Sequence, residues 1–347
     1  MNHSHKIGYV VTTIQHPTEP LLTLAKKSHD LGSKIYVIGD KKSPLDFFCP
    51  NSKYFSVNDQ ISMEFCLGDE LPFNSYSRKM LGYLAAIRDN CNWIRETDDD
   101  NYPLESFFEP PNLSINVREI LTSVDGWVNP YQYFTKTEIW PRGFPINLVL
   151  RNRNEFKASK NHTLKSSKVV ISQGLANGEP DVDAIYRLVV NDNINIKFLD
   201  SEPIKIAKSF YAPFNSQATT WEKSVFPLMY LPVTCSFRMT DIWRSFVAQR
   251  ILRENTGDII FTAPTVYQER NPHDFLKDFK DEVSGYLLNQ NLIDVLNQTQ
   301  ILGGISNMHR DLKECYKSLI AANFLDSKEE IFLDCWLRDL IKIDSFN

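Results

Sequence analysis

The stretch "WIRETDDDNYP" (residues 93–103) places Asp98, Asp99 and Asp100 in a row, straight after an apolar run. Like charges this close raise one another's energy, so the cluster calls for a compensating cation. Hard carboxylate oxygens suit Mg²⁺ or Mn²⁺, and an ion shared with phosphate oxygens neutralises both charges at once. If the run continues a strand, side chains alternate: Asp98 and Asp100 face one side as metal ligands, and Asp99 faces elsewhere, toward a ribose. The plain alternative is a solvated acidic turn or a helix cap. Its place at the end of a strand weighs toward function, because open parallel sheets bind ligands beyond the carboxyl ends of their strands. Phosphatases with an aspartate nucleophile also carry DxD after a strand, but with Thr or Val two residues on, where this chain has Tyr102.

Three further clusters could do chemistry. In "NSYSRKMLGYLAAI", Ser75, Arg78 or Lys79, and Gly82 recur at helical spacing, so a basic group can reach a diphosphate, although an ordinary surface pair fits equally well. "QGLANGEPDVDAIYRL" sets Glu179, Asp181 and Asp183 behind a two-glycine loop, offering hydroxyl acceptors or a base. The same carboxylates also suit a helix N-terminus. "FRMTDIWRSFVAQR" (237–250) offers Thr240 or Asp241 as an N-cap and Trp243 and Arg244 to stack on and clamp a ligand. The seven histidines form no HxxH or HExxH pattern, which speaks against zinc hydrolysis. His273, in "QERNPHDF", is the one placed to contact a metal or phosphate; a plain loop histidine is the commoner case.

Elements that could position these residues are visible in the pattern. "KIGYVVTTI" (6–14) reads as a buried strand, and "HPTEPLLTLAKKSHDLG" as a helix closing on Gly32. "KIYVIGD" (34–40) is a second strand, "YFSVNDQISMEF" a strand and short helix, residues 74–90 an amphipathic helix, and "CNWIRETDDDN" a strand entering the acidic cluster. Repeated βα units predict an α/β fold with a mostly parallel sheet flanked by helices. Proline-bearing loops fill the middle, a helix is expected near Pro180, and from about residue 273 apolar stripes predict a helical region packed on the body.

Composition narrows the function. The chain has 347 residues, 42% hydrophobic and 12% aromatic, enough for a large globular core. A net charge of −5 with no basic block argues against nucleic acid. Six scattered cysteines without CxxC pairs read as reduced core thiols. Neither a signal peptide nor an apolar run of ~18–20 residues is evident, so the expectation is a soluble cytoplasmic protein, attached to a membrane only peripherally, through a partner.

The segments "VVTTIQHPT", "YVIGDKKSP", "LPFNSYSRKMLGYLAAI", "ETDDDN", "QGLANGEPDVDAIYRL", "YAPFNSQ", "LPVTCSFRMTDIWRSFVAQR" and "VYQERNPHDF" together resemble the STELLO family of glycosyltransferase-like proteins, in order from about residue 7 to about 280. The family is similar to GT-A glycosyltransferases and, distantly, to the reversibly glycosylated polypeptides, which are UDP-arabinopyranose mutases. The resemblance implies a GT-A-like nucleotide-diphosphate-sugar fold whose DxD, here Asp98 and Asp100, serves the metal and donor diphosphate. It implies that Thr12, Thr13 and Ile14, with Asp40 and Lys41, hold the nucleoside, and that Arg78 and Lys79 approach ribose or phosphate. Asp241 becomes the candidate base near the acceptor, with Asp181 and Asp183 next. Unlike the plant members, the sequence shows no N-terminal anchor, which favours a microbial cytoplasmic enzyme of surface-glycan synthesis.

The resulting expectation is a GT-A-like catalytic domain over residues 1–272, with a nucleotide half (1–110) and an acceptor half (111–272), followed by a helical region (273–347). Its reaction is metal-dependent transfer of a sugar from a nucleotide-diphosphate donor, UDP by default and GDP otherwise, to a glycan or glycolipid acceptor. The rivals are a pyranose/furanose mutase and a non-catalytic scaffold of a polysaccharide-synthesising complex.

Overall fold

A computed structural model describes residues 6–155, 164–269 and 274–345. Its strands are β1 (Ile7–Thr12), β2 (Lys34–Ile38), β3 (Lys53–Phe55), β4 (Trp93–Thr97), β5 (Asn101–Pro103), β6 (Ser114–Ile120), β7 (Leu164–Gly178), β8 (Ile204–Ile206), β9 (Ala218–Glu222) and β10 (Asp258–Gln268). They form one sheet in the order β3-β2-β1-β4-β9-β7-β6-β8-β10-β5, with β7 also paired to β10. The expected α/β class with a flanked mixed sheet and a helical C-terminal region is what forms.

The N-terminal part, β3-β2-β1-β4, is wholly parallel. β1 and β2 are almost wholly apolar and buried, as parallel strands covered by helices must be, while β4 also buries Arg95 and Glu96. Beyond β4 the sheet becomes mixed: β9 runs antiparallel between β4 and β7, while β7 and β10 run parallel. The crossover helix α1 (Glu19–Asp30) starts where Thr18 accepts the Leu21 N–H at 3.3 Å and stops at Gly32, whose φ of +69° ends it.

Helix α4 (Lys79–Arg88) departs from the amphipathic expectation, because every residue from Lys79 to Ile87 is buried. One side packs on β1 and β2, where a Cβ on Gly82 would come within 2.5 Å of Val10 Cγ1. The other meets the C-terminal helices, whose Leu340 and Ile343 share its apolar cluster. A helix covered on both sides needs no polar stripe.

The helical region comprises α8 (Phe275–Gln298), α9 (Met308–Ala321) and α10 (Glu329–Asp344). Its core is continuous with that of the body, running from Val10 to Ile343. Buried carboxylates dock it. Glu329 accepts the Val233 and Thr234 amides at 2.9 and 2.8 Å, and Asp339 accepts those of Cys66 and Leu67, each at 2.9 Å. These last bonds fix α3 (Cys66–Glu70) against α10, one turn from Cys335. Cys66 and Cys335 Sγ atoms are 2.16 Å apart and bonded. This corrects the expectation of reduced thiols for that pair; a bridge between residues 269 apart has no local signature. Among the described residues no helix is long and apolar enough to cross a membrane.

Candidate active site

The pairing scheme sends six strand ends, those of β1, β2, β3, β4, β7 and β10, to one edge. β2 and β4 run parallel to β1, β7 returns to that direction through β9, and β10 is parallel to β7. The residues just past these strands therefore meet there: Thr13 after β1, Asp40 after β2, Asp98 after β4, Glu179 after β7. The antiparallel strands begin at the same edge. Thr97 faces Ala218, so Asn215, Ser216 and Gln217 lie beside the acidic turn, and Gln268 pairs with Asn101.

Residues 98–100 form a turn between β4 and β5, so strand alternation does not decide where the three carboxylates go. Each finds its own partners. Asp98 Oδ1 accepts from the Tyr76 hydroxyl at 2.9 Å and from Lys79 Nζ at 3.1 Å, while its side chain stays 32% exposed. Lys79 is fully buried and also donates to the Thr97 and Ser216 carbonyls. Part of the missing cation is thus inside the protein. Asp99 turns back to the β1 loop, where Thr13 Oγ1 and Gln15 Nε2 donate to Oδ2 at 2.5 and 3.2 Å. Burial pushes its carboxyl above the ordinary range, against those two bonds. Asp100 Oδ2 accepts from Gln268 Nε2 at 3.1 Å.

The residues expected to hold a nucleoside lie around the Asp99 contacts. Thr13 N bonds the Ile38 carbonyl, and Ser43 Oγ joins the Thr13 carbonyl to the Asp40 amide, both at 2.8 Å. Asp40 Oδ2 accepts the Ser75 amide at 3.1 Å, Ile14 is exposed, and Lys41 lies over the Phe73 ring at 3.9 Å. Arg78, expected near ribose or phosphate, is turned away from these residues. Its guanidinium is buried, donating to Gln60 Oε1 and the Leu71 carbonyl and stacking on Phe73.

Opposite the turn stands a buried charge network that the sequence did not reveal. Arg142 donates to Asp241 through Nη1 and Nη2 and to Asp181 through Nε and Nη2, at 2.7 to 3.1 Å. Local backbone explains the reach. Arg142 N bonds the Asp181 carbonyl, and Gly143 adopts a φ of +91° where a Cβ would lie 2.5 Å from Ile242 Cγ2, so only glycine lets this loop settle on α7 (Thr240–Leu252). Burial alone would raise the Asp241 carboxyl, but the adjacent guanidinium holds it below the usual range. Ser216 links the halves: its Oγ lies 2.6 Å from Tyr76 Oη and 3.1 Å from Asp241 Oδ2. Tyr76, Asp98, Arg142, Asp181, Asp241 and Gln268 line a cavity of about 90 Å³ between them.

Several expected residues serve elsewhere. Asp241 is not an N-cap; α7 follows Met239 without a side-chain cap bond. Arg244 is buried in a bidentate pair with Glu96 at 2.7 and 3.0 Å, and Trp243 donates to Asn289 at 2.9 Å, so both are turned into the core instead of clamping a ligand at the cavity. Asp183 caps α6 (Ala184–Val189) through the Tyr186 amide and accepts Trp140 Nε1 at 2.5 Å; burial drives its carboxyl to about 7. The helix therefore starts after Asp183, not near Pro180. His273 lies outside the described residues.

Among the described residues no group of three or more His, Cys, Asp or Glu could hold a metal. Asp98 and Asp100 supply two hard oxygen donors. That set fits Mg²⁺ or Mn²⁺ only as ions of the kind that complete their shell with substrate phosphates and water.

The sequence profile of the family described as STELLO glycosyltransferases matches residues 238–346. Over 96% of its length the chain is 28% identical to "Probable glycosyltransferase STELLO2" of Arabidopsis thaliana, covering 44% of that protein. To "Probable glycosyltransferase STELLO1" of the same plant it is 29% identical, over 75% of this chain and 35% of the relative. The chain thus spans less than half the length of the curated relatives it matches. A solved structure described as "Crystal Structure of a Mycobacterial Protein" aligns with a TM-score of 0.42 at 10% identity, over 82% of this chain and 75% of that one.

Proposed function

We propose that this chain, similar to the STELLO glycosyltransferases, moves a sugar from a nucleotide-diphosphate donor to a glycan acceptor. The observation that supports this reading is the convergence of Asp98, from the acidic turn, and the Arg142-held carboxylates on one cavity at the carboxyl edge of the sheet. In this reading the nucleoside lies over Thr13, Ile14 and Asp40, and the diphosphate at Asp98 and Asp100 with the divalent ion they hold, which would stabilise charge on the leaving group. Lys79 keeps Asp98 oriented, and Tyr76 carries that orientation across to Ser216. A UDP-sugar is the favoured donor and surface-polysaccharide synthesis the favoured setting, both on family resemblance.

For an inverting reaction, Asp241 is the favoured base among the cavity-lining carboxylates, with Asp181 next. Its lowered pKa makes it ionised but weakly basic, so its ion pair with Arg142 would have to loosen as the proton arrives. Asp98→Asn should abolish Mn²⁺-dependent binding of UDP in calorimetry, and unchanged binding would overturn the donor assignment. Asp241→Asn should keep that binding and lose transfer; full transfer excludes it as base. Turnover of donor without acceptor would instead reveal a mutase.

A further inference from the structure

A second, larger cavity of about 430 Å³ lies between β6, the 129–144 segment and α5 (Val149–Glu155). Its size is that of small-molecule sites generally. The floor is apolar and buried, made by Ile139, Trp140 and Phe144. Arg118 reaches it from β6 with its guanidinium 5.2 Å from the Tyr133 ring centroid. Stacking of this kind holds the planar fork in place. Its Nε is buried without a hydrogen bond, and among the described residues no carboxylate forms an ion pair with it. Burial lowers the affinity of this guanidinium for its proton, with Tyr133 and Glu202 offsetting part of the effect. A bound anion would supply the missing partner for that Nε.

We propose that this cavity binds an anionic sugar residue, its carboxylate or phosphate paired with Arg118 and its ring laid on the Trp140 and Phe144 floor. The oxyanion is common to uronates and sugar phosphates, and the apolar floor is what separates either from a free inorganic ion. Trp140 also connects the cavity to the site described above. Its indole N–H is held by Asp183, two residues from the Asp181 that Arg142 grips. That the sugar belongs to the acceptor rests on the proposed transfer reaction; binding at Arg118 does not.

The test is calorimetry and thermal shift on the full chain with D-glucuronate, glucose 6-phosphate, D-glucose and inorganic phosphate. Glucuronate or glucose 6-phosphate should bind, glucose should not, and Arg118→Gln should weaken the binding by about tenfold or more while its own melting temperature stays near wild type. Tyr133→Leu, which removes the stacked ring but no charge, should weaken it too. Asp98→Asn, which disables the proposed donor site, should leave it unchanged. The proposal is overturned if neither anionic sugar binds, if inorganic phosphate binds as well as they do, or if Asp98→Asn abolishes binding. Equal binding by Arg118→Gln overturns it as well. Loss of UDP binding is read in a separate titration, so the two readings fail independently.

Discussion

Arg142 grips Asp241 through both terminal nitrogens, Nη1 to Oδ1 at 2.9 Å and Nη2 to Oδ2 at 3.1 Å, while the same group holds Asp181 at 2.7 Å. One cation thus serves two buried carboxylates, and Asn215 Nδ2 and Ser216 Oγ satisfy oxygens of each at 2.9 and 3.1 Å. A shared counter-ion makes the two carboxylates a unit.

Removing that counter-ion leaves two buried carboxylates without their hydrogen-bonded cation, with Arg238, 3.7 Å from Asp181, as the nearest one remaining among the described residues. Arg142→Met should cost ~3–5 kcal/mol of stability in urea denaturation, with an unchanged m-value. A loss below about 1 kcal/mol would mean the pair is solvated in solution.

Asp183 should make stability fall as pH rises. Its folded-state pKa, about 7, lies above the unfolded carboxylate value, so the folded protein binds the extra proton between the two. Stability is highest below the unfolded value, declines through this window and levels off above about 7. In thermal melts from pH 4 to 8, Asp183→Asn should flatten that slope whatever constant cost the lost Trp140 bond imposes. The removed pH dependence is at most ~4 kcal/mol.

Gly82→Ala should destabilise by ~1–3 kcal/mol, because the added methyl meets Val10 and Ile38 in the close packing of α4 on the sheet. Chemical denaturation measures it. A neutral effect would show that α4 can slide outward against α10.

Thiol titration of the denatured, unreduced protein should find four cysteines, since Cys66 and Cys335 are joined. Reduction should lower stability by ~2–4 kcal/mol. Six free thiols would place the pair in the dithiol form under those conditions.

Local signals made much of the donor side legible. β-branched runs ending in Gly-Asp or in Asp98–Asp100 mark strand ends, and strand ends in a parallel sheet share an edge, so Thr13, Asp40 and Asp98 could be grouped without coordinates. The opposite side was not legible. Arg142 sits in "WPRGFP", which reads as a plain proline loop, and its role depends on contacts with residues 39 and 99 positions away. Asn215, Ser216, Gln217 and Gln268 reach the site through strand register alone, and only the uncharged polar run "NSQ" ahead of a strand hinted at them. Trp243 and Arg244 misled for the converse reason: side chains suited to clamping a ligand are equally suited to filling and pairing within a core.

Asp99 joins one loop to another by bonding Thr13 and Gln15 across 86 and 84 residues of chain. The β1 loop and the acidic turn therefore move as a single piece. An effort to retarget the protein to a different nucleotide base by recasting residues 12–15 would disturb the neighbouring Asp98 and Asp100 as well. Under the proposed donor site, nucleotide choice and ion affinity would be inherited together.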